Sequence, residues 1–144
     1  MSLHRRSLLI GSVAIAASLS GCSDLFSRRS PTIDLAVANY TGDRQPLEVE
    51  LLDANADRYG DALVFDREFE VPPPGDGETA GVVREHDVVP RRRYLVRVLL
   101  KFGDGQWRHH HFYPGEETTD PESEEIVVGV YRDEDTDDLS VRFL

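Results

Sequence analysis

Apolar and polar residues alternate along most of this chain after position 31. Apolar residues recur at alternate positions in three successive segments, from Ile33 to Val37, from Leu47 to Leu51 and from Phe65 to Val71. A period of two is typical of a β-strand that buries one face and exposes the other. Five further segments are predicted strands: Gly81 to Val89, Tyr94 to Phe102, Gln106 to Tyr113, Glu125 to Arg132 and Leu139 to Phe143.

Turn-forming segments separate these predicted strands. The clearest are Thr41-Gly42-Asp43, the proline and glycine tract from Pro72 to Gly77, Gly103-Asp104-Gly105 and the acidic stretch from Asp133 to Asp138. No segment after the N-terminal region keeps a helical period for three turns, and the chain has no internal repeat. Antiparallel strands bury one face by sheet-on-sheet packing, so we predict an all-β fold, a two-sheet antiparallel β-sandwich of about eight strands.

One segment resembles the entry to the sixth strand of fibronectin type III and related immunoglobulin-like domains. Pro90 is followed four residues later by Tyr94, then by alternating apolar positions and a glycine-containing turn. The resemblance implies that the Tyr94 hydroxyl bonds back to upstream backbone. The immunoglobulin cysteine pair is absent, Trp107 falls after this strand, and two predicted strands follow. A transthyretin-like or carboxypeptidase-regulatory-like sandwich accommodates those strands and is the alternative.

The N-terminus combines an arginine pair, an apolar run and the only cysteine. Arg5 and Arg6 precede the twelve residues from Leu8 to Leu19, and Leu19-Ser20-Gly21-Cys22 follows. A membrane-spanning helix needs about 20 apolar residues, so this run is too short. The segment resembles a prokaryotic lipoprotein export signal of the twin-arginine type, with the general export route as the alternative. The resemblance implies a protein anchored through lipid on Cys22 at the outer face of the cytoplasmic membrane.

This interpretation divides the chain into three parts. Residues 1–21 are the export signal, residues 22–31 a lipidated flexible tether, and residues 32–144 one β-sandwich domain. The polar tether carries Arg28 and Arg29, which can meet anionic headgroups. Because acylation uses the only cysteine, the fold cannot depend on disulfides.

The chain is strongly acidic. Its formal net charge is −11, and loss of the signal removes two positive charges and no negative one, which leaves −13. Such a field repels nucleic acid and anionic headgroups, so we exclude both as direct ligands of the folded domain. Among the basic residues only Lys101 is a lysine, and this composition resembles secreted proteins of extreme halophiles. The alternative is an acidic surface protein without salt adaptation.

Three consecutive histidines, His109 to His111, are the main candidate for chemistry. Strand alternation points the middle one, His110, away from its two neighbours. One face then carries Trp107, His109, His111 and Tyr113, which we predict to be a partner surface. Two histidines on one strand make half of a transition-metal site, with His86 a candidate third ligand. The alternative is a polar, exposed edge strand.

Two weaker motifs remain. Asn39-Tyr40-Thr41 matches the N-glycosylation sequon, although Asn39 equally suits the end of a strand before a turn. The stretch from Asp133 to Asp138 has carboxylates at alternate positions like the start of a calcium loop. It lacks the glycine and the terminal glutamate of such a loop, which favours a solvated hairpin turn.

The sequence contains no phosphate loop, nucleophile elbow or metalloprotease motif. We therefore predict a non-enzymatic, lipid-anchored surface module without a cofactor, which binds an envelope protein or glycan or serves a structural role. The second hypothesis is a metal-handling surface protein that uses His86, His109 and His111.

Overall fold

A computed structural model describes residues 31–115 and 124–144, and it confirms the predicted two-sheet β-sandwich. Eight strands and one short helix, α1 (Tyr59–Ala62), make up the described part. The strands are β1 (Thr32–Asn39), β2 (Gln45–Asp53), β3 (Leu63–Val71), β4 (Gly81–Pro90), β5 (Tyr94–Leu100), β6 (Trp107–Phe112), β7 (Glu125–Arg132) and β8 (Leu139–Phe143).

Each sheet has four strands. One has the order β4-β1-β7-β8 and the other β3-β2-β5-β6. Neighbouring strands are antiparallel except β1 and β7, which are parallel. Register shifts interrupt the β1–β4 and β2–β3 ladders, whereas the β5–β6 ladder is regular.

The core lies between the two sheets and consists of the alternating apolar residues that the sequence indicated. Both sheets contribute fully buried side chains, among them Ile33, Val37, Leu47, Leu51, Val96 and Val128. Alternation puts one face of each strand into this core and leaves the other face of each sheet outside. The outer faces are therefore the surfaces on which functional side chains can lie.

The strand connectivity differs from that of an immunoglobulin domain. There the first two strands belong to one sheet, whereas here β1 and β2 belong to different sheets. The tyrosine contact implied by the resemblance is nevertheless present, because the Tyr94 hydroxyl donates a 2.7 Å hydrogen bond to the Pro90 carbonyl oxygen.

The sandwich has two distinct ends. At the end where β1 begins, the Arg91 amide donates a hydrogen bond of 2.9 Å to the Pro31 carbonyl. We call this the proximal end, because residue 31 closes the predicted tether. The opposite, distal end carries the β1–β2, β5–β6 and β7–β8 turns. The predicted turns at residues 41–43, 103–105 and 133–138 all lie there.

Some details differ from the sequence prediction. β5 ends at Leu100 and not at Phe102, because Lys101 to Gly105 form the turn into β6. The helix α1 was not predicted, since four residues are too few for a helical period. Arg5, Arg6 and Cys22 lie outside the described residues. Within residues 31–115 and 124–144 no helix has the length and apolarity to cross a membrane.

Candidate partner surface on the outer face of β6

The register between β5 and β6 decides which side of β6 faces out. Tyr94, Val96 and Val98 of β5 are buried in the core, and opposite them in β6 stand Phe112, His110 and Arg108. The intervening side chains therefore point outward. This confirms that Trp107, His109 and His111 share one face. Tyr113 follows β6, and its ring lies 6.4 Å from that of His111. We call these four residues the β6 surface.

Much of the β6 surface is open to solvent. His109 and His111 are exposed, Trp107 is half-buried, and Tyr113 is 62% exposed. The prediction that this aromatic and imidazole face is not wholly core is confirmed. His110, on the core side, instead stacks on Phe143 of β8 with ring centroids 5.0 Å apart.

Arg97 fixes the position of Trp107. Its guanidinium carbon lies 4.4 Å from the centre of the Trp107 ring, which is a cation–π contact. The same guanidinium donates a hydrogen bond of 2.5 Å to the Tyr59 hydroxyl. Its Nη1 also lies 3.0 Å from Glu50 Oε2. That carboxylate oxygen is buried and accepts no hydrogen bond, so its contact with Arg97 is ionic. Three contacts on one guanidinium hold the indole in a defined orientation.

Tyr113 lies at the proximal end of the β6 surface. The Arg93 guanidinium carbon is 5.4 Å from the centre of its ring, and the His111 ring is tilted against it at 6.4 Å. A pocket of about 240 Å³ lies here, and its lining includes Asn55, Arg93 and His111. Aromatic rings beside a guanidinium are a composition common at binding surfaces.

Charge is segregated across the outer face of this sheet. Two rows of paired residues cross its four strands in the order β3, β2, β5, β6. The first row consists of Asp66, Glu50, Arg97 and His109, and the second of Glu68, Glu48, Leu99 and Trp107. The β3 and β2 positions are acidic, and the β5 and β6 positions are basic, apolar or aromatic. Lys101, which follows β5, connects the basic and apolar side of the sheet to the acidic side, because its Nζ lies 2.8 Å from Glu48 and 3.0 Å from Glu68. The β6 surface is thus a carboxylate-free strip on an acidic protein.

The three histidines of the metal hypothesis do not come together. His86 lies on β4, an edge strand of the other sheet, and its Nδ1 is 2.6 Å from the Asp34 carboxylate. The backbone amide of Asp87 and then His86 lower the pKa of Asp34. The interpretation of His86 as a third ligand to His109 and His111 is therefore wrong for this fold, and these two remain as a pair on one face.

A different group has donor atoms close enough for a metal ion. Within the described parts of the chain, only Glu48, Glu50 and Asp66 bring three such atoms within 4.8 Å of one another. Lys101 and Arg97 already pair with the two glutamates. These cations partly neutralise the carboxylates, so we assign them to the charge pattern of the sheet.

Asn39 has a structural role. Its side chain is fully buried, and Nδ2 donates hydrogen bonds to the carbonyl oxygens of Asp43, Val71 and Pro72. Oδ1 accepts from the Thr41 amide and hydroxyl. A glycan on Nδ2 would break the first set, so the folded domain disfavours the predicted modification. Of the two roles that the sequence allowed, Asn39 has that of ending β1 before the turn.

The acidic stretch after β7 is a hairpin turn. The Asp133 carboxylate accepts hydrogen bonds from the Asp135 and Thr136 amides, which lower its pKa. Arg132 contacts Asp137 at 3.1 Å and Asp43 of the β1–β2 turn at 3.2 Å. The Asp133 and Asp137 carboxylates are thus used in local structure, as the hairpin interpretation expects.

The distal end also holds a cleft with a volume of about 720 Å³. Its lining contains three arginines, Arg44, Arg108 and Arg132, and four aspartates, Asp43, Asp104, Asp137 and Asp138. Phe102, which also lines it, is 74% exposed.

Sequence reasoning missed this cleft and the role of Arg97, since both depend on which strands become neighbours. The turn at residues 103–105 was the one available signal, because a tight β5–β6 hairpin brings Arg97 toward Trp107.

A comparison with models of known protein families finds no match for this chain, and a comparison with curated protein sequences finds no similar one.

Proposed function

We propose that this protein is a lipid-anchored binding module of the cell surface, without enzymatic activity, and that the β6 surface contacts its partner. The observation that carries the proposal is the fixed Arg97–Trp107 pair beside exposed histidines. Tryptophan, tyrosine and arginine are enriched at the centres of protein interfaces. Side chains that are already ordered lose less conformational entropy when a partner binds.

The position of the tether supports this geometry. Residue 31 lies at the proximal end, and the ten residues from Cys22 span at most about 35 Å when fully extended. A lipid on Cys22 then turns the proximal end toward the membrane. The strands run from the proximal end to the distal end, so the β6 surface lies on the side of the domain and not at the end next to the anchor. A neighbouring envelope protein or glycan at the same membrane is within reach.

The test is capture of partners from solubilised membranes with the full lipidated protein. We expect a Trp107→Ala/His109→Ala variant to lose captured partners that the wild type retains. The matched control is Val82→Ala, which truncates an exposed side chain, 48% accessible, on the other sheet. If the two variants capture the same partners as the wild type, the β6 surface is not the binding site.

One observation favours a second function, metal handling. His109 and His111 are both exposed and lie two residues apart on one face of β6. Such a pair suits copper, zinc or nickel, and we expect an ion bound there to change the fluorescence of the neighbouring Trp107. Titration of these ions into the purified protein should give a response that His109→Ala/His111→Ala removes. If the ions give no response, this function fails while the partner proposal stands.

A further inference from the structure

The two edges of the β3-β2-β5-β6 sheet have complementary outer faces. At one edge β3 exposes the carboxylates of Asp66, Glu68 and Glu70. At the other edge β6 carries Trp107, His109 and His111, with no carboxylate among its outward side chains. Among residues 31–115 and 124–144, each of these edge strands has a single neighbour in its sheet, and a free strand edge can pair with another strand.

Strand direction makes these edges compatible. β2 is antiparallel to β3 and to β5, and β5 is antiparallel to β6. β3 therefore runs opposite to β6. When a second copy is displaced sideways without rotation, its β3 meets β6 of the first copy as an antiparallel pair, and the outer faces of both sheets remain on the same side.

The predicted anchor gives copies this relative orientation. Lipidated molecules in one membrane are all tethered at their proximal ends, which favours copies that stand side by side with their strands in the same sense. Confinement to a surface also raises the effective concentration of one copy around another. This step rests on the proposed function, because it assumes anchoring through Cys22.

We propose that the partner of the β6 edge is a second copy of this chain, which pairs through its β3. Asp66 and His109 lie in the same row of the sheet. A sideways displacement along that row places Asp66 of one copy opposite His109 of the next. The neighbouring row places Glu68 opposite Trp107. The Asp66 carboxylate then faces an imidazole that can donate a hydrogen bond to it, whereas two carboxylates facing each other would repel.

The pairing joins different surfaces of the two copies. Such a heterologous contact does not close after two subunits, so it extends into a row of molecules on the membrane. The two inner strands keep their hydrogen-bonded neighbours, and only the free edges are used. Arg67 of β3 is half exposed, but it lies on the opposite face of the strand from Asp66 and Glu68 and pairs with Glu85 of β4, so this arginine does not oppose the contact.

Disulfide cross-linking on intact cells tests the pairing, since the only native cysteine is Cys22. Cells co-express Asp66→Cys and His109→Cys variants of the full-length protein and are mildly oxidised. We expect covalent dimers at a yield at least about tenfold above that of a control pair, the same His109→Cys with Val82→Cys. Val82 is exposed on the other sheet. Glu68→Cys with His109→Cys tests a register shifted by two residues.

Charge exchange provides the second test. Fluorescently labelled lipidated protein in neutral phosphatidylcholine vesicles reports self-association by energy transfer. Asp66→Lys and His109→Glu should each reduce association about fivefold or more, and the two substitutions in one chain should restore it. Restoration distinguishes the pairing from a folding defect.

The outcomes separate this inference from the proposed function. Dimer yields equal to the control for both registers, or no energy transfer between wild-type copies, overturn the self-pairing. Capture of a different protein through the β6 surface then still supports the binding module. If Cys22→Ser releases the protein while purified copies still pair at β3 and β6, the pairing stands independently of the anchor.

Discussion

The hydroxyl of Tyr94 donates a hydrogen bond of 2.7 Å to the carbonyl oxygen of Pro90, four residues earlier. The ring is buried in the core, so this bond fixes the turn between β4 and β5 to the sandwich interior. The turn also contains Arg91, which bonds to residue 31 at the start of β1. Two neighbouring residues of this turn, Pro90 and Arg91, therefore connect it to the core and to the residue before β1.

Replacement of Tyr94 by Phe removes this bond without creating a large cavity. We expect the free energy of unfolding to fall by about 1 kcal/mol, the usual net value of such a bond. Urea unfolding followed by circular dichroism measures the change. Tyr113→Phe is the control, since Tyr113 is exposed, and it should leave stability within about 0.5 kcal/mol of wild type. An equal loss in both variants would contradict the role of the Pro90 contact.

The hydroxyl of Tyr94 also predicts a response to alkali. Burial raises its pKa above the ordinary value of 10.0. Because the folded-state pKa is the higher one, the stabilisation is full below pH 10 and is lost as the pH rises through the folded value. Tyr94→Phe should therefore show a weaker loss of stability than wild type above pH 10, measured as the urea midpoint against pH.

Gly81 is packed too closely for any side chain. A Cβ atom there would lie 2.0 Å from the Pro72 carbonyl oxygen and 2.7 Å from that of Pro73. Both are backbone atoms, and the first also accepts a bond from Asn39. Gly81→Ala should cost about 3 kcal/mol or more in unfolding free energy. Gly42→Ala, where a Cβ meets no atom within 4 Å, should be close to neutral in the same urea experiment.

The sequence predicted where the strands of this protein lie better than it predicted which strands pair with each other. Period-two alternation is a local property of segments such as Leu47–Leu51, so it located eight strands and the turns between them. Connectivity is different, because the parallel pairing of β1 with β7 joins residues about 90 positions apart and no local pattern encodes it. The immunoglobulin resemblance therefore predicted the Tyr94 contact but not the sheet to which β2 belongs.

The candidate site was predictable to the same extent. Alternation within β6 placed Trp107 and His109 on one face, which is confirmed. His86 was joined to them on residue type alone, and the topology puts it on another sheet. Arg97 was missed because its contact with Glu50 crosses from β5 to β2. The sequence thus identified which residues share one face of a strand, whereas contacts between residues on different strands could be found only from the folded structure.

High salt should stabilise the protein. The carboxylates repel one another over a screening length of about 10 Å at 0.1 M salt and about 3 Å at 1 M. We expect the urea midpoint of the purified protein to rise between these concentrations of sodium chloride. A variant with three exposed carboxylates neutralised, Glu70→Gln/Asp76→Asn/Glu134→Gln, should respond less. An unchanged wild-type midpoint would contradict the halophilic interpretation. If the midpoints of the wild type and the variant rose equally, the stabilisation by salt would come from hydration and not from screening of carboxylate repulsion.

Replacement of Cys22 by Ser should remove the membrane anchor. In the proposed anchor a diacylglyceryl group is joined to the cysteine thiol, and it supplies the two chains that stable anchoring needs. We expect unprocessed precursor or release of the domain into the medium, measured by fractionation of cells after a carbonate wash. Ser23→Ala, at the next residue, is the control and should remain membrane-bound. Processed Cys22→Ser protein that stays with the membrane would show that another part of the chain provides the anchor.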